Sequence, residues 1–186
     1  MSRSDRPPGW TNDDRITPPH VIQIAREVMG GGIDLDPASS AEANKIVKAT
    51  TWIGKKGHGS GPRNSPRHPW RGRIWLNPPC SRPLCSQFIF RALEEYKKGC
   101  TDGAGIVIMI LVNNATETKW FQPLLRYPVC LIAGRLSFHL PVRGAVREAR
   151  QGQALFYLGP SPRRFSMICL ARKIGTVFLC PEYGSW

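Results

Sequence analysis

The stretch "GIVIMILV", residues 105–112, contains no polar side chain and no alternation between apolar and polar positions. A strand that is apolar throughout buries both faces, which is typical of a parallel sheet covered by helices. Before it lie a second apolar segment, "RIWL" at 73–76, and a helical pattern, "SQFIFRALEEYKKG" at 86–99, with Gly99 as its predicted end. Strands that alternate with helices predict an α/β fold with a doubly wound, mostly parallel sheet.

The alternation continues upstream. Thr17 is a predicted N-cap and Pro18 a first-turn residue of a helix that ends at Gly30. The next segment, "GIDLDPASS" at 32–40, is a predicted strand that ends at Asp36-Pro37. The pattern of residues 41–53 leaves their structure open.

Downstream, one short helix and three strands are predicted: "TETKWFQPLL" at 116–125, "VCLIAG" at 129–134, "QALFYLG" at 153–159 and "TVFL" at 176–179. Asn113, Thr116 and Thr118 lie between the central strand and this helix. They are candidates to line a pocket, and capping of the helix is the alternative.

Charge indicates the kind of partner. Lys and Arg number 26 against 13 acidic residues, a formal net charge of +13. This excess favours a polyanionic partner, most simply nucleic acid, and the alternative is a basic surface that binds nothing.

The sequence favours the cytoplasm. No apolar run reaches the roughly 18 residues of a membrane span, and the first residues lack the apolar core of a signal peptide. The six cysteines form no CxxC pair, so we expect reduced thiols. Cys80 and Cys85 follow His58 and His68, but this spacing matches no common zinc pattern, and we expect no metal.

The length of 186 residues indicates one domain. We assign residues 1–16 to a polar N-terminal arm and residues 17–186 to the domain. Inside it, a Gly-, Pro- and Ser-rich loop at about 54–73 carries Lys and Arg but no acid. The loop is either a solvated linker or an arm that binds phosphate through Lys55, Lys56, Arg63 and Arg67.

The chemistry concentrates at Asn77-Pro78-Pro79, directly after the strand at 73–76. Ligands of α/β sheets bind beyond the carboxyl ends of the strands. The prolines restrict the chain to an extended turn, so the Asn77 side-chain oxygen and the Pro78 carbonyl can accept hydrogen bonds from one NH2 group. An amine held in this way, about 3 Å from a cationic methyl donor such as a sulfonium, needs no strong base. The alternative is a strand that simply ends at two prolines.

The order of motifs resembles that of phage-type DNA N6-adenine methyltransferases, the Dam-like family of phages and prophages. The similar segments, from about residue 17 to 159, are "TPPHVI", "DLDPASSAEAN", "WLNPPCS", "VNNATETKWFQPLL", "VCLIAGRLSF" and "QGQALFYLG". The resemblance implies a Rossmann-like, S-adenosylmethionine-dependent methyltransferase that acts on double-stranded DNA. It also implies that "VCLIAG" and "QALFYLG" are its final pair of strands, the last one antiparallel.

The resemblance also implies roles for single residues. The family's catalytic motif falls on Asn77, Pro78, Pro79 and Cys80. The candidate cofactor-binding residues are Thr17, Pro18, Asp34, Asp36, Pro37 and Asn77, although Thr17 and Asp36 are also explained as caps. The basic loop between the last two strands, Val142 to Gln151, adds Arg143, Arg147 and Arg150 to the candidate DNA-binding residues.

One position departs from the family pattern. The fourth motif residue is aromatic in the family and stacks on the flipped base, whereas this chain has Cys80. We expect slow turnover, weak substrate binding, or another ring in its place. Trp75 and Trp120 are the candidates for that ring.

Three hypotheses therefore stay open. The first is methylation of the N6 amine of adenine in DNA, with relaxed sequence preference because a chain of this length has no separate recognition domain. The second is a DNA-binding protein on a degenerate methyltransferase scaffold with weak or lost catalysis. The third keeps the chemistry but changes the acceptor to cytosine N4, RNA or a protein amide.

Overall fold

The computed structural model describes residues 12–54, 69–103, 105–140 and 145–180 of the chain. These residues form four α-helices, nine strands and two short 3-10 helices, Asn12–Asp14 and Gln122–Arg126. The helices are α1 Pro19–Met29, α2 Ala41–Val47, α3 Leu84–Thr101 and α4 Pro162–Ala171. The strands are β1 Ile33–Ser39, β2 Ala49–Gly54, β3 Arg73–Leu76, β4 Val107–Asn113, β5 Val129–Ile132, β6 Ser137–His139, β7 Val146–Glu148, β8 Gln153–Leu158 and β9 Gly175–Phe178.

Seven of these strands form one sheet in the order β2-β1-β3-β4-β8-β5-β9, and β6 and β7 form a separate hairpin. The strands β1 to β4 pair in parallel with one another, whereas β8 is antiparallel to both β4 and β5, and β9 is antiparallel to β5. Five of the seven strands therefore run in one direction. The predicted mostly parallel sheet is confirmed, with "QALFYLG" as an antiparallel strand and β9 as a second one.

Alternate side chains of the central strands divide into two apolar clusters, one on each side of the sheet. On β3, Trp75 belongs to one cluster, and Ile74 and Leu76 belong to the other. Buried residues of α1 and α4 join the first cluster, and those of α3 join the second. Because helices cover both faces, β4 is apolar from Val107 to Val112, as its sequence predicted.

The predicted end of α3 at Gly99 is wrong, since the helix continues to Thr101. A Cβ atom on Gly99 would clash with the side chain of Ile106, just before β4. The glycine therefore allows the helix to approach the chain that enters β4. Close packing, rather than helix termination, explains its place.

The strand β1 does not end at Asp36-Pro37, as the sequence predicted, but continues to Ser39. Its pairing with β2 shifts register between Asp36 and Ser39, and it pairs with β3 at Leu35. Proline cannot donate to a ladder and is tolerated at such irregularities. Pro37 therefore lies in the strand where regular pairing stops.

Residues 41–53, which the sequence left open, form α2 and most of β2. The Ser40 hydroxyl caps α2 by accepting from the Ala43 amide at 3.1 Å. The Asn44 side chain then bonds to both backbone groups of Ala49, where β2 begins. Side-chain hydrogen bonds thus determine a helix and a strand within thirteen residues.

Residues 12–16 belong to the polar arm predicted from the sequence, yet they pack on the domain. Ile16 is 5% exposed and pairs with His139 at the end of β6 through two backbone hydrogen bonds of 2.9 Å. This contact brings the segment Asp13–Ile16 to the sheet edge where β3 ends.

Within the described ranges, none of the helices combines the length and the apolar composition that crossing a membrane requires.

Candidate active site

The Asn77-Pro78-Pro79 segment lies at the carboxyl edge of the parallel strands. It follows β3, and the neighbouring strand β4 ends at Asn113. Asn113 is paired in the ladder with Gln153, the first residue of β8. The fold therefore brings three amide side chains to one edge of the sheet.

Thr17 determines how the Asn77 side chain is oriented. Asn77 Nδ2 donates to Thr17 Oγ1 at 3.2 Å, and Thr17 is only 2% exposed. The predicted N-cap role of Thr17 is wrong, because Pro18 is the N-cap of α1 and no side chain caps that helix. With Nδ2 bound to Thr17, Oδ1 is the amide atom left to accept a hydrogen bond.

Two cavities adjoin the Asn77-Pro78-Pro79 segment. The first has a volume of about 570 Å³ and is lined by Asn77, Pro78 and Cys80; we call it the Asn77 cavity. The second has a volume of about 470 Å³ and is lined by Pro79; we call it the Pro79 cavity. Consecutive residues of one rigid turn thus contribute to two separate spaces.

The segment Asp13–Ile16 joins the two cavities, because Asp13 and Arg15 line both of them. The Asp13 carboxylate accepts from the Ser81 amide at 3.0 Å, which ties the segment to the chain just after Cys80. The Arg15 guanidinium carbon lies 5.7 Å from the centre of the Phe138 ring. Sequence reasoning missed both residues, because nothing in a short polar stretch signals a contact made so far along the chain.

One wall of the Asn77 cavity is a chain of polar side chains. Gln153 is 2% exposed, and its Nε2 donates to Asn113 Oδ1 at 2.6 Å. Asn113 Nδ2 in turn lies 3.7 Å from the sulfur of Cys80. Although Cys80 is exposed, partial desolvation by the surrounding protein raises the pKa of its thiol, so the thiol stays protonated at neutral pH.

Aromatic rings and cations complete the Asn77 cavity. Trp120 and Phe138 line it, whereas Trp75 is 1% exposed and packs in the core. Arg82 and Lys119, which the sequence analysis did not select, also line it. Three residues after the central strand were candidates to line a pocket. Thr118 lines the cavity and Asn113 belongs to its polar wall, while Thr116 is not part of the lining.

The Pro79 cavity opens where β1 and β2 end. Pro37, Ala38 and Ser39 line it from β1, and Trp52, Ile53 and Gly54 line it from β2. Phe88 of α3 adds a second ring. The cavity therefore has aromatic walls and a polar rim.

The two acids of β1 have different surroundings. Asp36 is 3% exposed, does not line either cavity, and accepts from the Ala38 amide at 3.2 Å. Burial raises the pKa of Asp36 to about 7. Asp34 lies beside the start of β3, at the opposite edge, where Arg73 donates to it through two side-chain nitrogens at 2.9 and 3.0 Å. This ion pair lowers the pKa of Asp34.

The fold brings some of the predicted site residues together and separates others. Six of them lie at the carboxyl edge, namely Asn77, Pro78, Pro79, Cys80, Thr17 and Pro37. Pro18 is buried at the start of α1. Arg147 is paired with Phe138 in the β6–β7 hairpin, and Arg150 precedes Gln151, which lines the Asn77 cavity. The other predicted DNA-binding residues, Lys55, Lys56, Arg63, Arg67 and Arg143, lie outside the described residues.

In the part of the chain that the structure describes, no group of three or more His, Cys, Asp or Glu side chains is arranged to hold a metal ion.

A family model described as DNA N-6-adenine-methyltransferase (Dam) matches residues 8–169 of this chain. A comparison with curated proteins and one with solved structures each found no match.

Proposed function

Because the chain belongs to the DNA N-6-adenine-methyltransferase (Dam) family, we propose that it transfers a methyl group from S-adenosylmethionine to the N6 amine of adenine in DNA. One observation carries this proposal. Asn77 and Pro78 line one cavity while Pro79, the next residue, lines the other. A transfer between two bound molecules needs such a turn, with an acceptor site on one side and a donor site on the other.

We assign the cofactor to the Pro79 cavity, within a Rossmann-like, doubly wound fold. This cavity opens beyond the carboxyl ends of β1 and β2, where α/β sheets bind their ligands. Trp52 and Phe88 suit an adenine ring. The Nε of Arg15 is buried without a hydrogen-bond partner among the described residues, and the carboxylate of the cofactor's methionine part would supply one.

The predicted cofactor-binding residues then have different tasks. Pro37 contributes to the cavity wall, and Thr17 acts through its bond to Asn77. Asp36 and Pro18 are buried and do not line the cavity, so we assign neither of them a direct contact with the cofactor. We assign Asp34 to its ion pair with Arg73 at the opposite edge rather than to the cofactor.

The adenine occupies the Asn77 cavity, and the protein's task is to hold its amine. Asn77 Oδ1 and the Pro78 carbonyl each accept one N6 hydrogen, which localises the nitrogen lone pair and directs it toward the Pro79 cavity. The bound cofactor supplies an electrophilic methyl group on a positively charged sulfur. As the N–C bond forms, the C–S bond breaks and the sulfur leaves as a neutral thioether. The amine then carries the positive charge, and the same two oxygens stabilise it until a proton leaves to solvent.

The cations around the Asn77 cavity support DNA as the substrate. Arg82 and Lys119 line its mouth, and Arg147 and Arg150 lie on the adjoining hairpin and loop. An extruded nucleotide brings its flanking phosphates to this position. We also include five basic residues outside the described ranges among the proposed phosphate contacts: Lys55, Lys56, Arg63, Arg67 and Arg143.

The test is direct. The purified chain is incubated with S-adenosylmethionine and unmethylated double-stranded DNA, and the digested DNA is analysed by mass spectrometry for N6-methyladenine and N4-methylcytosine. We expect N6-methyladenine alone, and a loss of about a hundredfold or more in rate for Asn77→Ala, because one of two acceptors is removed. Calorimetric titration of the cofactor is the control and should be nearly unchanged by this substitution.

Cys80 favours one alternative, a DNA-binding protein with weak or lost catalysis, because a thiol stands where the family has an aromatic ring. In that case the chain would bind DNA and yield no methylated base under any cofactor concentration. N4-methylcytosine as the main product would instead change the acceptor and leave the role of Asn77 intact.

A further inference from the structure

A base that leaves the duplex loses stacking on both faces, and this loss opposes its extrusion. A protein that holds such a base recovers part of this energy with an aromatic platform. Cys80 lies in the wall of the Asn77 cavity but has no ring to offer. If the proposed function holds, another ring has to provide the platform on which the base stacks.

Two rings line the Asn77 cavity among the described residues, Trp120 and Phe138. Phe138 is 3% exposed, and the Arg15 guanidinium lies over its ring. That face is therefore covered by a cation from the protein itself. Trp120 is only partly buried, so its ring is the one open to a ligand.

The position of Trp120 is fixed by its neighbours. Its ring contacts Phe121 edge to face, with 5.6 Å between centroids, and Phe121 contacts Phe156 of β8 in the same way at 5.3 Å. Phe121 and Phe156 are fully buried. The ring at the cavity is thus the outermost of three that continue into the core.

The backbone around Trp120 is also held. The Thr118 amide and hydroxyl both donate to the Ala115 carbonyl, at 2.9 and 2.8 Å, and the amides of Phe121 and Gln122 donate to the Thr118 carbonyl. Successive turns of this kind restrict the loop after β4. A fixed ring serves as a stacking platform, because little side-chain entropy is lost when a ligand binds.

We propose that Trp120 is the platform on which the target adenine stacks, in place of the ring that is absent at Cys80. The inference rests on the proposed function and assigns the substrate-binding ring of the same site. Cys80 and Trp120 line the same cavity, so a ring at either position would be available to the same base.

The experiment measures kcat/KM for double-stranded DNA at saturating S-adenosylmethionine. Trp120→Leu should lower it about ten- to hundredfold because stacking is lost. Trp120→Phe keeps a ring and should stay within about threefold of the original chain. Phe178→Leu, a ring 54% exposed on the distant edge strand β9, is the matched control and should change nothing.

A ring restored at position 80 provides the second arm. Cys80→Tyr should raise kcat/KM at least tenfold in the Trp120→Leu background but only slightly in the original chain, because the two rings do the same work. Cofactor affinity, measured by calorimetry, reports whether each variant is folded.

The inference is overturned if Trp120→Leu stays within about threefold of the original chain, or if Cys80→Tyr gives the same factor in both backgrounds. In either case the original chain still forms N6-methyladenine, so the proposed function survives. If the original chain binds DNA and cofactor but forms no methylated adenine, the proposed function fails, and the platform fails with it.

Discussion

Thr17 shows how one hydroxyl decides which atom of an amide is offered to a ligand. The role proposed for Asn77 requires that its oxygen, and not its nitrogen, faces the amine of the base. The hydroxyl of Thr17 binds the nitrogen at 3.2 Å and leaves the oxygen free. The proposed catalytic role of Asn77 therefore depends on a residue outside the Asn77-Pro78-Pro79 segment.

Replacement of Thr17 tests this role. Thr17→Val keeps the shape but removes the acceptor, so the Asn77 amide loses its fixed orientation, and we expect kcat to fall about tenfold. Thr17→Ser keeps the hydroxyl and should remain close to the original chain. Methylation kinetics with separate kcat and KM would check this, and equal rates for the Val and Ser variants would contradict it.

At the scale of elements, β1 carries a buried acid where its regular pairing stops. Asp36 lies at the register shift, and burial raises its pKa to about 7. Because the folded chain holds this proton more tightly than the unfolded chain, the contribution of Asp36 to stability is full below about pH 4. It is lost as the pH rises to about 7.

Asp36→Asn, which imitates the protonated acid, tests this linkage. The free energy of unfolding of the variant minus that of the original chain should be larger at pH 8.5 than at pH 5.5. The increase should be up to a few kcal/mol, since one pKa unit corresponds to about 1.4 kcal/mol. Urea unfolding at the two pH values gives the difference, in which the titration of all other groups cancels. A difference that is the same at both values would exclude the buried, titrating acid.

At the scale of the whole molecule, the proposed function assigns a role in DNA binding to only part of the excess positive charge. Arg82 and Lys119 lie at the Asn77 cavity, whereas Arg163 is exposed at the start of α4, beyond the opposite edge of the sheet. The same formal charge therefore has different proposed roles at the two edges.

Salt dependence separates these roles. Arg82→Ala and Lys119→Ala should each weaken DNA binding and reduce the slope of log K against log salt by about one, because one phosphate contact is lost. Arg163→Ala and Lys97→Ala are the matched controls and should leave the slope unchanged, because Lys97 is exposed near the end of α3, before β4 begins, and thus also lies toward the opposite edge. Fluorescence anisotropy at several salt concentrations measures the slope for each variant. Equal slopes for all four variants would refute a localised DNA surface.

The sequence by itself determined the central strands, the helices on both sides of them and the Asn77-Pro78-Pro79 turn. Those features depend on neighbours in the chain, because the periodicity of apolar residues and the stiffness of proline act locally. The family resemblance rested on the same segments and is confirmed by the match over residues 8–169. The roles of single residues in the site stay predictions.

Only the tertiary structure decided which polar residues meet. Asp34 and Asp36 are two residues apart and equivalent in the sequence, yet one is held by Arg73 and the other is buried beside the Pro79 cavity. Thr17 lies 60 residues from Asn77, and Ile16 pairs with His139 across most of the chain. Such contacts depend on how elements pack over long separations, and no local pattern carries that information.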